Sequence, residues 1–364
     1  MGTISQPHIL IAAKDAGGCN AILPVARALA RRGCQFRALA QGPAVRILRD
    51  DGLSVEETDE VELSEESLPY LSLVGNSWGL SVEDQVVEKS RALGVTSVGV
   101  LDSWVLSAEK FTNGSSRWWY LPDRLVVMDQ LMSNELVAAG APSKRLVALG
   151  QPHFDSVFES GGQITSEDID AFRADLGVGK GQLLVVILSQ NMGEFYGEGQ
   201  VGGDLGYTEY DVARDVARAV SNLSSKGIDV KLVVKLHPRE PRDKFSNMGL
   251  TCLRDAPPHL SVMAADLVIG MHTMLLLEAA LLGCVCLSYQ PNLRHTDVSG
   301  LARYCLGERC YESQGLEPAM YSLLLDVGLR EEVRGRAKDA PIVPGATQRV
   351  VDFILSCVEN APAI

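Results

Sequence analysis

The sequence predicts an α/β protein built from two doubly wound domains, each on its own parallel sheet. Three observations predict it. Short apolar runs alternate with helical patterns along almost the whole chain, which is the rhythm of βαβ units. That rhythm breaks once, near residues 150–168, where turn residues gather. The length of 364 residues fits two domains at roughly 150 residues each.

Taken in order, HILIAA at 8–13 is a continuous apolar run that suits a strand buried on both faces. Residues 21–32, rich in Ala, Leu and Arg, read as the first helix, stopped by Gly33. Strand-like runs recur at 35–40, 97–101, 124–128 and 146–149. Helices fit between them at 43–51, 81–93 and 131–139, with Gly52, Gly94 and Gly140 as stops. At 160–168 the segment SGGQITSED supplies turn residues and then a capping box, Thr165 with Asp168. The boundary is placed there, giving a first domain at 1–160 and a second at 161–340. The second series has strands at 183–188, 229–236, 266–269 and 284–288, with helices at 208–225 and 273–282. A last helix, 347–358, follows Pro341 and Pro344 inside a terminal segment at 341–364. No internal repeat of short period is present. Ligands of doubly wound sheets bind beyond the carboxyl ends of the strands, so the chemistry is expected in a cleft that the two domains face.

Hydrophobic residues make up 46% and charged residues 22%, a globular mixture that excludes general disorder. Acidic side chains outnumber basic ones by 46 to 33, with a net charge of −13 and no strong basic run. A nucleic-acid or anionic-membrane surface is therefore not expected, although a local cationic pocket for phosphate is compatible with that balance. The amino terminus lacks a basic stretch followed by a long apolar one, and no segment approaches about 20 apolar residues. A cytoplasmic protein without a transmembrane segment is expected. The eight cysteines show no CxxC and no paired zinc spacing, so reduced, buried thiols and no metal site are expected. Nothing in the sequence sets the oligomeric state.

Five segments carry residues suited to chemistry. KDAGGCN at 14–20 lies between the first strand and first helix. Its Gly17 and Gly18 let the backbone approach a ligand, and the free N–H groups of a helix start, reaching to Asn20, favour an anion. The same segment also serves as a tight turn that binds nothing. Asp15 is its more interesting member, a carboxylate at the sheet edge. Asp102 emerges at the end of the 97–101 strand, where a rigid sheet positions a general base or where the carboxylate caps the next turn. Trp104, Trp118, Trp119 and Tyr120 either line an acceptor site or simply pack.

KLHPR at 235–239 places Lys235, His237 and Arg239 in a strand-terminal turn fixed by Pro238. The imidazole can donate to a phosphate oxygen while the two cations offset its charge. GMHTMLLLEAA at 270–280 runs from strand to helix, with His272, Thr273 and Met274 at the helix start, a phosphate site by the dipole argument. Glu278 falls in an otherwise apolar stretch and must meet a polar ligand or another donor. The glycine-rich loop 191–206, including Asn191 and Gly193, reads equally as a close backbone approach to a ligand and as a solvent-exposed excursion.

With these residues in place, the chain resembles the two-domain nucleotide-sugar enzymes of the GT-B fold, whose domains are Rossmann-like. GQPHFD at 150–155 resembles the G-x-P-x-x-D segment that joins their domains. MAADLVIG at 263–270, with Thr273 and LEAALLG at 277–283, resembles their donor-binding core. KLHP at 235–238 is similar to the His-Pro motif of bacterial sialyltransferases, Kdo transferases and glycerophosphotransferases that use cytidine nucleotides. The paired acidic-acidic-Gly motif of the sialyltransferases is absent. The resemblance implies a nucleotide-sugar donor, with Glu278 on its ribose, His237 on its phosphate and Thr273 near the phosphates. It also implies a last helix that packs back on the first domain.

Residues and resemblance together give the expectation of a metal-independent glycosyltransferase, using a nucleotide sugar as substrate, an unspecified acceptor and no cofactor. Lys235, His237, Arg239 and the helix start at Thr273 stabilise the departing phosphate in that reading. Asp102 or Asp15 takes the acceptor proton if the reaction inverts. The alternatives are a nucleotide-sugar epimerase or hydrolase on the same scaffold, and a nucleotide-sugar-binding protein without catalysis.

Overall fold

The computed structural model describes residues 8–64, 68–105, 107–112, 115, 117–192 and 203–359. The chain forms two compact units, one made of Met1–Ser156 with Ile342–Ile364 and one of Val157–Pro341.

The first unit carries seven parallel strands: β1 (His8–Ala13), β2 (Gln35–Ala40), β3 (Val55–Glu57), β4 (Leu71–Val74), β5 (Thr96–Val100), β6 (Arg124–Val127) and β7 (Leu146–Ala148). Their spatial order is β3-β2-β1-β4-β5-β6-β7, so the winding reverses between β1 and β4. Ile9 pairs with Phe36 on one side and Leu71 on the other. Residues 9–13 are fully buried, as a strand flanked on both edges and covered on both faces requires. The helices are α1 (Ala16–Arg31), α2 (Gly42–Asp50), α3 (Val82–Ala92), α4 (Ser107–Thr112) and α5 (Gln130–Ala138), and α6 (His153–Gln163) runs across the division at Ser156 into the second unit. Gly52 and Gly94 end their helices at φ of +83° and +72°, the left-handed conformation that makes glycine a stop.

Two differences from the sequence reading concern the centre of this sheet. The strand β4 lies beside β1 yet shows no apolar run, because its Ser72 is buried and hydrogen-bonded to Ser90 Oγ at 2.8 Å. The helix α1 begins at Ala16 rather than at 21, so Gly17, Gly18 and Asn20 sit inside its first turns and not in a loop before it. Neither glycine has a positive φ. Their value is close approach: a Cβ on Gly17 would lie 2.3 Å from Asp102 Oδ2, and one on Gly18 would lie 2.7 Å from the Asn76 nitrogen.

The second unit contains α7 (Ser166–Asp175), β8 (Leu183–Leu188), α8 (Glu209–Ser225), β9 (Val230–Lys235), β10 (Thr251–Leu253), α9 (Pro258–Met263), β11 (Leu267–Gly270), α10 (Met274–Leu281), β12 (Cys286–Tyr289), α11 (Gly300–Tyr304), β13 (Glu308–Cys310), α12 (Ser313–Leu325) and α13 (Val327–Gly335). Its six strands are also parallel, in the order β10-β9-β8-β11-β12-β13, and the winding reverses between β8 and β11. Capping boxes start α7, with Thr165 and Asp168, and α8, with Thr208 and Asp211. Each such cap is worth about 1 kcal/mol. The core joins Val185, Ile187, Val234, Ile269 and Leu287 of the sheet to Val212, Val216 and Leu223 of α8.

The chain then returns to the first unit as α14 (Ala346–Glu359). Val350, Val351 and Ile354 are fully buried in the core that includes α1. Asp155 fixes the start of this helix: Oδ1 accepts from Gly345 N–H and Oδ2 from Thr347 N–H, both at 2.7 Å. All eight cysteines are free; Cys19, Cys34, Cys284, Cys286 and Cys310 are buried and Cys305 is exposed. Among the described residues, no helix is long and apolar enough to cross a membrane.

Candidate active site

In the second unit the polar groups collect where the ends of β8, β9 and β11 meet. His272 follows β11; its backbone N–H donates to Gln190 Oε1, just past β8, at 3.0 Å. Burial pushes its imidazole down to about 4, only partly opposed by the Asp297 carboxylate, so the ring is neutral near pH 7. Thr273 is the N-cap of α10, but its side chain makes no capping hydrogen bond and the first turn holds no acid. The positive end of that helix dipole, at Met274, is thus not offset by a carboxylate in the first turn of its own helix.

His237 follows β9. Its backbone N–H donates to Glu240 Oε2 at 2.7 Å, and its Nδ1 accepts from the Arg239 N–H at 3.2 Å. A neutral ring that accepts at Nδ1 carries its proton on Nε2. Arg239 is exposed. Lys235 is buried, donates from Nζ to the Arg254 carbonyl at 2.7 Å, and has its pKa lowered by burial. That carbonyl takes one of the ammonium donors which the sequence reading aimed at a phosphate.

Glu278 does meet a donor. His259 Nε2 lies 3.0 Å from Glu278 Oε2, and His259 Nδ1 lies 2.6 Å from Ser160 Oγ. Asn191 sits three residues past β8, half-buried; Gly193 and most of the glycine-rich loop lie outside the described residues. A network missed by sequence reasoning adjoins His272. Gln290 donates to Asp297 Oδ1 at 2.7 Å and to Ser288 Oγ at 3.0 Å, and accepts from Tyr207 at 3.0 Å. Burial works to raise the Asp297 pKa, but hydrogen bonds from Ser299, Gln290 and Tyr311 outweigh it and hold the carboxylate below its ordinary value. Its signal was available: Asp297 follows an apolar strand in a polar loop, as Asp102 does.

In the first unit the ends of β1, β4 and β5 carry acids. Asp15 precedes α1; its carboxylate accepts from Trp78 N–H at 3.2 Å and its own N–H donates to Ser77 Oγ at 2.9 Å. Asp102 Oδ1 accepts from Asn76 Nδ2 at 3.1 Å and from Lys110 Nζ at 2.7 Å, while the Asp102 N–H donates back to Asn76 Oδ1 at 3.0 Å. The Oδ2 atom, over Gly17, is the remaining face of that carboxylate. Two further acids went unnoticed in the sequence because they open a helix. Glu83 and Asp84 are each pushed up to about 7, mainly by burial. Tyr120 lines a narrow pocket with Asn76, Glu83 and Lys110. Trp104 is buried, whereas Trp119 is exposed with Arg117 over its ring at 5.1 Å.

No family model matches the chain, and no curated protein matches it in sequence. Solved structures match it along nearly its whole length. A complex of Anabaena HepE with UDP and glucose aligns at a TM-score of 0.66 and 14% identity, covering 96% of this chain and 99% of that one. The UDP-GlcNAc 2-epimerase of Neisseria meningitidis, bound to UDP-GlcNAc, aligns at 0.64 and 13%, covering 96% and 100%. A glycosyltransferase from Rickettsia africae aligns at 0.65 and 9%, covering 98% and 100%. The chain has the GT-B type of fold. Identities this low carry the fold and nothing finer.

Proposed function

We propose that the chain is a metal-independent glycosyltransferase that moves a sugar, or a related group, from a nucleotide-activated donor to an acceptor. The observation that carries this reading is the set of groups at the reversal between β8 and β11. An uncapped helix start at Thr273, the neutral His272 and the Nε2–H of His237 form a site for a diphosphate. Related folds are solved with UDP and glucose and with UDP-GlcNAc, which supports a nucleotide sugar as the ligand class.

In the reaction, an acceptor oxygen forms a bond to the sugar's anomeric carbon while the bond from that carbon to the diphosphate breaks. The bonding pair leaves with the diphosphate, and the acceptor proton passes to Asp102 or Asp15 if the configuration inverts. His237 and the start of α10 act where negative charge develops, with Arg239 and the more committed Lys235 adding positive potential. Glu278 anchors the donor ribose, its carboxylate held by His259. In this reading these groups neutralise the diphosphate without a metal ion or a cofactor.

One observation favours a second reading, a nucleotide-sugar epimerase. Glu83 and Asp84 titrate near neutrality beside Asp15, and an epimerase needs several acid and base groups. Incubation with UDP, GDP, CMP and CDP sugars, with and without acceptors, separates the two. Transfer without isomerised sugar is expected. Isomerised sugar in the absence of acceptor establishes the epimerase instead, and no thermal shift with any nucleotide removes both.

A further inference from the structure

We propose that Glu240 is the positioning residue of the donor site: it orients His237, and selects the nitrogen that carries its proton, through the turn they share. The proposal rests on the donor-site reading above. Glu240 is 1% exposed, and both oxygens of its carboxylate are engaged. Oε2 accepts the His237 N–H at 2.7 Å; Oε1 accepts the Ser189 hydroxyl at 2.8 Å and the Lys244 ammonium at 2.6 Å. Ser189 follows β8 and His237 lies just past β9, so one carboxylate ties the ends of two neighbouring strands at the site.

The carboxylate is itself held in place. Lys244 also pairs with Glu209 at the start of α8, and its Nζ lies 5.2 Å from the Tyr210 ring centre and 5.6 Å from that of Phe245. Burial works to lower the Lys244 pKa, but the two carboxylates outweigh it and keep the ammonium charged. Arg254 donates to the carbonyls of Pro238 and Glu240 and closes the turn from its other side.

Stability alone does not call for this arrangement. Buried ion clusters carry a desolvation penalty of several kcal/mol per ion, and apolar replacements of similar volume are often neutral or stabilising. An apolar residue at 240, however, has nothing to offer the His237 N–H. That bond shapes the turn in which the Arg239 N–H reaches His237 Nδ1 at 3.2 Å, which leaves the ring proton on Nε2. Nε2–H is the group that donates to a phosphate oxygen.

The test is Glu240→Gln in the full chain, with His237→Ala and the double variant. A glutamine has one acceptor oxygen and one NH2, so it cannot accept from His237 on one side and from Ser189 and Lys244 on the other. Histidine ¹⁵N spectra at pH 8 report the tautomer without any ligand. The Nε2–H form is expected in the wild type, and loss of that preference in Glu240→Gln. UDP affinity by calorimetry is expected to fall about 10- to 100-fold in Glu240→Gln, the range for a lost hydrogen bond to a charged group. The double variant should bind UDP no worse than His237→Ala, because the effect of Glu240 passes through that ring. An unchanged tautomer in a folded Glu240→Gln overturns the proposal, as does an equal loss of affinity with and without His237. If Glu240→Gln does not fold, Ser189→Ala removes one Oε1 partner and must shift the same two readouts in the same direction. A wild type that binds none of UDP, GDP, CMP and CDP defeats the donor-site reading, and the tautomer spectra still decide the role of Glu240.

Discussion

Replacing Glu83 by Gln tests the most deeply buried acid at the edge of the first sheet. Glu83 is 2% exposed, and its Oε1 accepts from Lys14 N–H at 3.1 Å and from Ser77 Oγ at 2.9 Å. Its Oε2 has no hydrogen-bond partner among the described residues. Burial, partly opposed by hydrogen bonds from Ser81, Ser77 and Lys14, pushes the carboxyl from 4.5 to about 7. Between those values the folded state keeps a proton that the unfolded chain has lost. Folding stability therefore falls as pH rises from 4.5 to about 7, and this group adds no further slope above it. That window, at about 1.36 kcal/mol per pH unit, amounts to at most about 3 kcal/mol. Glutamine keeps an oxygen for both donors but does not titrate. Denaturant unfolding of the first unit's transition, from pH 4.5 to 8, should show the variant gaining on wild type by up to about 3 kcal/mol. Asp84, also raised to about 7, leaves a slope common to both proteins. A stability difference that stays constant across the window refutes the raised carboxyl.

The other predictions are shorter. His237→Ala removes a phosphate donor whose contact strengthens as charge develops, so turnover should fall about 10²- to 10³-fold; unchanged turnover and donor affinity show that the His-Pro turn is not the site. Glu278→Ala should mainly raise the donor Michaelis constant, as loss of uniform binding does, once circular dichroism shows it folded. Treatment with EDTA should leave activity largely intact, and strict dependence on magnesium or manganese contradicts the charge-neutralising role given to His237, Arg239 and the start of α10. Gly18→Ala puts a Cβ 2.7 Å from the Asn76 backbone nitrogen and should cost about 1–3 kcal/mol in thermal or denaturant unfolding.

The rhythm of the chain made the two sheets legible, because strands such as β1 and β8 are buried on both faces and so read as continuous apolar runs. The strand β4 lacks that signature: it is four residues long and buries Ser72 through a partner 18 positions away in sequence. Of the four terminal strands, three residues each and too short to carry a period, β7 is legible in the sequence at 146–149, whereas β3, β10 and β13 are not. For the site, local sequence located the residues but not their partners. Glu278 stood out as an acid among apolar neighbours, yet nothing local points to His259 or Ser160. Lys235 stood out as a cation at a strand end, and the Arg254 carbonyl that holds it belongs to the next βα unit. Glu83 and Asp84 looked like ordinary first-turn helix acids, because what raises them is tertiary burial.

The two sheets wind in the same order and gather polar groups at the same place, beside the reversal, but the charge gathered there differs. In the first unit Asp15, Glu83, Asp84 and Asp102 surround that edge. Lys110 is drawn to Asp102, and Lys14 Nζ donates to the carbonyls of Trp78 and Leu80 at 3.3 and 3.4 Å. In the second unit the nearby acids are already compensated: Asp297 by three donors, Glu240 by Lys244, Glu278 by His259. What faces an anion there is a helix start and neutral N–H groups. A hydroxyl-bearing acceptor has the opposite needs, since it requires a carboxylate to receive its proton. In the transfer reaction proposed above, this contrast in charge supports placing the donor at the second unit and the acceptor at the first. Within the first, the proposed transfer takes Asp102 as its base: Asn76 and Lys110 fix Oδ1, and the absence of a Cβ on Gly17 spares Oδ2 a clash.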